Sequence, residues 1–222
     1  MSSMSSSNKH RIVKIQDLSK FTYKIICERN QFEFTSGQCV NIGPVGTPIN
    51  REYSTYSSEN DDKLEFLIRE IKEGLVSSHL RQLSKGEYIC IHGSYGNFCI
   101  DQNNLAKKHI FIASGTGIAP FSSFIKTYPQ INYEIIHGVA FVEELYEKEN
   151  YFDSYYYPCI SRENNHKYYN GRITEFLKKK YTLSSQHFYY ICGNGNMISE
   201  VYDILISLGI KTSNIYTESF FQ

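Results

Sequence analysis

The sequence predicts two joined units, an N-terminal antiparallel β-barrel followed by a parallel α/β sheet. Three observations carry this. Short strand-like runs separated by Gly, Asn and Asp fill the first half. Strand and helix patterns alternate through the second half. Between the halves lies a polar stretch, Asp101 to Lys108, that contains Asn103 and Asn104. The expected organisation is a disordered tail over 1–8, a barrel over 9–104 and an α/β unit over 105–222.

The tail is Ser-rich from Met1 to His10 and lacks the apolar stretch of a signal peptide. In Arg11 to Ile15, Ile12 and Lys14 alternate with Val13 and Ile15, a strand pattern. Thr22 to Cys27 is rich in β-formers, and Gly37 marks a turn before Cys39 to Ile42. Glu52 to Ser57, Leu64 to Ile71 and Tyr88 to His92 continue the strand series. One helix is expected over Ser77 to Leu83, with Leu80 and Leu83 on a common face.

In the second half, strands are expected at His109 to Ala113, Tyr133 to His137, Tyr156 to Ser161, Phe188 to Cys192 and Asn214 to Glu218. Helices are expected after Gly117, around Val142 to Glu149, near Ile173 to Lys180 and after Cys192. In the last of these, Met197, Val201, Ile204, Leu205 and Leu208 form one apolar stripe. Gly209 suits its C-cap.

The 222 residues carry a formal net charge of +0, which argues against a nucleic-acid partner. No run approaches the roughly 20 apolar residues of a membrane helix. Without a targeting segment, the expected location is cytoplasmic and no membrane insertion is expected. The six cysteines include no Cys-x-x-Cys pair, so no zinc or iron–sulfur site is expected. Aromatics reach 15%, which suits stacking on a planar ligand and equally suits an ordinary core.

Several short segments combine chemistry with position. Arg51-Glu52-Tyr53-Ser54 opens a barrel strand, placing Arg51 and Tyr53 on one face and Ser54 on the other. An Arg beside a Tyr can hold a diphosphate while the ring lies on an aromatic ligand. Such a pair is also ordinary on a half-buried strand. Gly74-Leu75-Val76-Ser77 precedes the short helix, either as a phosphate-binding start or as a turn capped by Ser77. Gly115-Thr116-Gly117-Ile118-Ala119-Pro120 joins a strand to a helix, the context in which a glycine turn can approach a pyrophosphate. Pro120 suits the first helical turn. Ser161-Arg162 ends a strand, with Tyr168 and Arg172 following. Two charge-assisted bonds of roughly 1.5–3 kcal/mol each to a phosphate monoester would give a preference above about a hundredfold. Cys192-Gly193-Asn194-Gly195-Asn196-Met197 joins another strand to a helix, either placing a small thiol beside a ligand or combining a buried Cys with a loose turn. The chain ends Glu218-Ser219-Phe220-Phe221-Gln222.

Taken together and in order, these segments resemble the ferredoxin–NADP reductase family, with its motifs R-x-Y-S, G-x-x-S, G-T-G-x-A-P, S-R-E, C-G-x-x-x-M and an acidic–aromatic end. The resemblance covers nearly everything after the tail. It implies an FAD-binding barrel, an NAD(P)-binding α/β unit, and hydride exchange between NADP(H) and FAD. It implies that Arg51, with the turn of Gly74, Val76 and Ser77, binds the FAD diphosphate. Tyr53 would stack on the flavin and Ser54 would bond near its hydride-accepting nitrogen. Phe220 or Phe221 would cover the opposite face. Gly115, Thr116 and Gly117 would cradle the NADP diphosphate, and Ser161 and Arg162, joined by Arg172, the 2′-phosphate. Tyr168 would stack on adenine. Cys192 would lie beside the reactive nicotinamide carbon, and Glu218 would orient it or relay a proton. The terminal aromatics are Phe where many relatives carry Tyr or Trp, so a phenol or indole hydrogen bond is lost.

The resemblance also implies an electron carrier such as ferredoxin, flavodoxin or another redox protein as a separate partner. One alternative is a reductase component of a larger complex or oxygenase system, with the same cofactors. A second is a nucleotide-binding module without turnover, disfavoured by the joint presence of Ser54, Cys192 and Glu218.

Overall fold

The structure, a computed structural model, describes residues 8–220. The sequence builds its first sheet from β1 (Lys9–Ser19), β2 (Thr22–Glu28), β3 (Cys39–Pro44), β4 (Arg51–Ser54), β5 (Lys63–Arg69) and β6 (Tyr88–Tyr95). All neighbours pair antiparallel, in the order β4-β3-β6-β1-β2-β5. The ends of this order meet where Tyr56 N donates to Glu65 O at 2.9 Å, so the sheet curls into a barrel. Side chains alternate across a strand, which sends Tyr23, Ile25 and Cys27 of β2 into the barrel with Ile12, Val40, Ile42, Phe66 and Ile91. α1 (Ser77–Gln82) adds Leu80 to that core. The intervening β2 residues Thr22 and Lys24 are buried as well, because the second unit covers the outer face there.

The second sheet contains β7 (Lys108–Ser114), β8 (Asn132–Val139), β9 (Tyr156–Ile160), β10 (Tyr169–Asn170), β11 (Phe188–Asn194) and β12 (Ile215–Phe220). It is wholly parallel, in the order β10-β9-β8-β7-β11-β12. Both faces are covered, so its central strands are continuous apolar runs. Phe111, Ala113 and Tyr190 face α2 (Ala119–Thr127) and share a core with Tyr56, Leu67 and Phe98 of the first half. Ile110, Ile112 and Ile191 face α3 (Ile173–Lys180) and α4 (Gly195–Ser207). Strands run outward from β7 to β10, then the chain returns to place β11 on the other side of β7. That reversal is the topological switch point, where a crevice opens at the strands' carboxyl ends.

Four expectations about elements change. The helix expected over 142–149 is two short 3₁₀ turns, Val142–Glu144 and Lys148–Asn150. Between them Glu147 takes a left-handed φ of 45°, and its carboxylate reaches Lys24 Nζ at 2.5 Å, so a tertiary ion pair overrides helix propensity. The strand expected to reach Ser57 stops at Ser54, because Thr55 N turns to Gln38 O and Tyr56 N crosses to Glu65 O. In α4 the buried stripe is Ile198, Val201, Ile204 and Leu205, while Leu208 lies beyond the helix and is exposed. Strand β10, two residues long, has too few positions to show a period. Among the described residues no helix is long and apolar enough to cross a membrane. Asn8, placed with the tail by the sequence, is held by Ile91 N at 2.8 Å and by His92 Nδ1 at 2.9 Å. The rest of the expected tail and Phe221 lie outside the described residues.

Candidate active site

A cleft of about 1470 Å³ runs between the two sheets and over the switch point. The first sheet and α1 contribute Arg51, Tyr53, Ser54, Gly74, Val76 and Ser77. The second contributes Gly115, Thr116, Ser161, Arg162, Arg172, Glu218 and Phe220. Segments up to 169 residues apart in sequence thus converge because each stands at a strand end or in a turn beside one.

On the barrel side, β4 pairs with β3 through Tyr53–Val40 and Ser54–Cys39. The Ser54 side chain is buried, and its Oγ has no hydrogen-bond partner. Tyr53 is half-buried against the barrel core, and Arg51 is exposed with a bond to Asn50 O at 2.8 Å. The sequence allowed Ser77 as a helix cap. Its Oγ instead accepts from Ile71 N at 3.0 Å, and Val76 holds the cap position without a side-chain bond. The start of α1 carries neither a side-chain cap nor an acidic residue in its first turn, and of its backbone donors Ser78 N reaches Gly74 O at 3.3 Å.

On the other side, the turn Gly115–Ile118 is 3₁₀ and runs directly into α2, with Pro120 in the first helical turn. Gly115 takes φ 55°, and a Cβ there would meet open space. Gly117 is a packing glycine, because a Cβ would stand 2.3 Å from the Cys192 carbonyl oxygen. Gly193 answers it, since its Cβ would lie 2.3 Å from Ser114 Oγ, which accepts from Asn194 N at 2.9 Å. The two glycine turns therefore interlock at the switch point. Asn194 caps α4 with its own side chain, accepting from Asn196 N at 3.0 Å.

Ser161 lies at the β9 edge, with Oγ donating to Val139 O at 3.1 Å, and Arg162 is exposed beside it. Arg172 precedes α3 in an extended conformation. The Glu218 carboxyl is pushed up to about 6, first by burial and then by the nearby Glu52.

Three residues sit differently from what the sequence suggested. Cys192 is fully buried inside β11, between Ala113 and Glu218 on the flanking strands, and burial holds its thiol well above its usual range. Its neighbours Gly193 and Asn194 line the cleft instead. Gly117 is buried behind the turn. Tyr168 lies away from the lining residues, its hydroxyl accepting from Lys148 Nζ at 3.2 Å and its ring flanked by Lys148 and Lys167. The sequence reading passed over Cys39, Glu52 and the ion pair Arg69–Glu144, 3.4 Å long across the cleft. Asn194 had a legible signal, an Asn between a strand and a helix. Arg69 and Glu144 had none, because their meeting depends on the docking of the two sheets.

Residues 7–100 match the family described as Oxidoreductase FAD-binding domain, and residues 111–203 the Oxidoreductase NAD-binding domain. The chain is 28% identical to a ferredoxin–NADP reductase of Azotobacter vinelandii, over 95% of this chain and 93% of that protein. It is 27% identical to the toluate 1,2-dioxygenase electron transfer component of Pseudomonas putida, over 94% of this chain but 66% of that protein. A crystal structure of a Neisseria gonorrhoeae ferredoxin NADP+ reductase with bound FAD and NADP shares the fold, with TM-score 0.86, 23% identity and coverage of 96% of this chain and 98% of that one. With an FAD-binding barrel ahead of an NAD-binding sheet and one cleft between them, the chain is an oxidoreductase of the ferredoxin–NADP reductase family.

Proposed function

We propose that this protein exchanges a hydride between NADP(H) and FAD in the cleft, and passes electrons to or from a separate carrier such as ferredoxin or flavodoxin. The observation that carries the reading is the Ser54 hydroxyl, buried on the cleft wall without a partner. Leaving such a group unsatisfied costs about 1–3 kcal/mol, so it marks a place that a polar, planar ligand completes. Tyr53 beside it offers a ring face, Arg51 a guanidinium, and α1 an uncapped start. These residues fit FAD.

When bound, FAD supplies a hydride acceptor that can release its two electrons singly. Arg51 and the turn of Gly74, Val76 and Ser77 would hold the diphosphate, Tyr53 would lie on the ring, and Ser54 would bond beside the hydride-accepting nitrogen. Phe220, which lines the cleft, would cover the opposite face and would have to move aside before nicotinamide could stack there. The N–H groups at Gly115 and Thr116 hold the NADP diphosphate, and Ser161, Arg162 and Arg172 take the 2′-phosphate. Gly117 lets the turn pack tightly. Cys192 supports the nicotinamide pocket from behind, through Gly193. Glu218 orients the nicotinamide or holds a proton beside it. Tyr168 reaches adenine only if its contact with Lys148 opens. A cytoplasmic location belongs to the same reading.

A second reading, a reductase component serving an oxygenase, is favoured by the 27% identity to the toluate dioxygenase component. It differs in the electron acceptor alone.

Steady-state dye reduction by FAD-loaded protein tests the assignment. Arg162→Ala should raise KM for NADPH about tenfold or more, the worth of one charge-assisted bond, and leave KM for NADH nearly unchanged. Equal effects on both would remove Arg162 from the 2′-phosphate site.

A further inference from the structure

His137 is fully buried at the centre of the second sheet, on β8 and level with Ala113 of β7. Both of its ring nitrogens are engaged. Nε2 lies 2.9 Å from the Gly115 carbonyl oxygen, and Nδ1 lies 2.7 Å from the Tyr156 hydroxyl. A carbonyl only accepts, so Nε2 must carry the proton. A neutral imidazole has a single N–H, so Nδ1 is bare and accepts from Tyr156. The Gly115 carbonyl therefore fixes the tautomer, and Tyr156 completes it by donating to the bare Nδ1. Burial favours this neutral form, pushing the pKa down to about 4.

The consequence lies in the next peptide. The Gly115–Thr116 bond is trans, and in a planar trans peptide the C=O and N–H point in opposite directions. A Gly115 carbonyl held toward the sheet interior sends the Thr116 N–H toward the cleft that both residues line. Gly115, at φ 55°, opens the 3₁₀ turn, so that turn's i→i+3 bond is the local constraint on its carbonyl and the His137 N–H is a second donor that keeps it inward. Turned outward, it would present an acceptor to an anion.

We propose that His137 is a positioning residue for the dinucleotide: its Nε2–H holds the Gly115 carbonyl inward and so aims the Thr116 N–H at the diphosphate. This rests on the reading of the cleft as an NADP(H) site.

The test is calorimetric titration of FAD-loaded protein with NADP+ and with adenosine 2′-monophosphate, which lacks the diphosphate. His137→Leu should weaken NADP+ about tenfold and leave the monophosphate unchanged, with FAD retained. His137→Gln, whose amide can donate to Gly115, should recover most of the loss. Equal weakening of both ligands, or of neither, would overturn the proposal alone. Wild-type protein that binds no NADP+ would overturn the dinucleotide reading and the proposal with it. Should the Leu variant fail to fold, imidazole nitrogen NMR of the wild type decides: a protonated Nε2 at neutral pH is expected, and a bare Nε2 excludes the bond.

Discussion

Glu218 and His137 are titratable side chains around the nucleotide half of the cleft that shift in opposite senses. Burial and then Glu52 raise the Glu218 carboxyl to about 6, so it exchanges its proton near neutral pH. Flavin reduction by NADPH should therefore show an inflection near pH 6 that disappears in Glu218→Gln; an unchanged profile would remove Glu218 from the reacting centre. The stability signs follow from proton counts. Between about 4.5 and 6 the native protein binds the Glu218 proton more tightly than the unfolded chain, so this group's contribution falls as pH rises. His137 is depressed, so between 6.5 and about 4 the unfolded chain binds more protons, and stability falls as pH drops. Most cleft residues were legible singly, because Arg51, Ser54 and Ser161 stand at strand ends or turns that sequence patterns reveal, and Glu218 lies in the last strand. How deeply Cys192 is buried was not legible, because its cover comes from flanking strands β7 and β12, which one segment cannot show. The contact of Tyr168 was not legible, because it is made by Lys148, twenty residues away.

Among the elements, the strand–turn–helix units were readable and their mutual fit was not. The turns after β7 and β11 each looked like a phosphate loop, yet Gly117 and Gly193 are there to let two backbones touch. Gly117→Ala would drive a Cβ to within 2.3 Å of the Cys192 carbonyl, which is backbone and cannot swing away. The expected cost is about 1–3 kcal/mol, the range for overpacking. Thermal unfolding should then shift down by roughly 2–4 °C per kcal/mol for a chain of this size. An unshifted midpoint would mean that the turns separate without cost. The segment over 142–149 shows the converse. Its residues suit a helix, but Glu144 bonds back to Ala140 N at 2.8 Å and Glu147 leaves for Lys24. Local propensity of a few tenths of a kcal/mol per residue loses to such contacts.

Across the whole molecule, the seam between the sheets sets the distance from Ser54 to Gly115. Thr22 Oγ1 meets Tyr146 OH at 2.9 Å, and Ser123 Oγ donates to Ser57 O at 2.7 Å. Lys24, its side chain 8% exposed, joins Glu147 of the second unit and Glu65 of the first, which in turn binds Lys126 at 3.1 Å. Removing one partner of so enclosed a set leaves a charge stranded, so the cluster resists separation of the halves. Tyr56, Leu67 and Phe98 continue the second unit's core into the first, which makes a stable docking and not a loose hinge. None of these hydrogen bonds and ion pairs was legible in the sequence, because each joins positions more than 40 residues apart.

The most direct measurement of the central claim is anaerobic titration of the purified, FAD-reconstituted protein with NADPH and with NADH, followed by visible absorption. The account predicts a two-band yellow spectrum that bleaches faster with NADPH. Bleaching with NADH alone would discard the 2′-phosphate site at Ser161 and Arg162, and a colourless protein that takes up no FAD would contradict the account at its root.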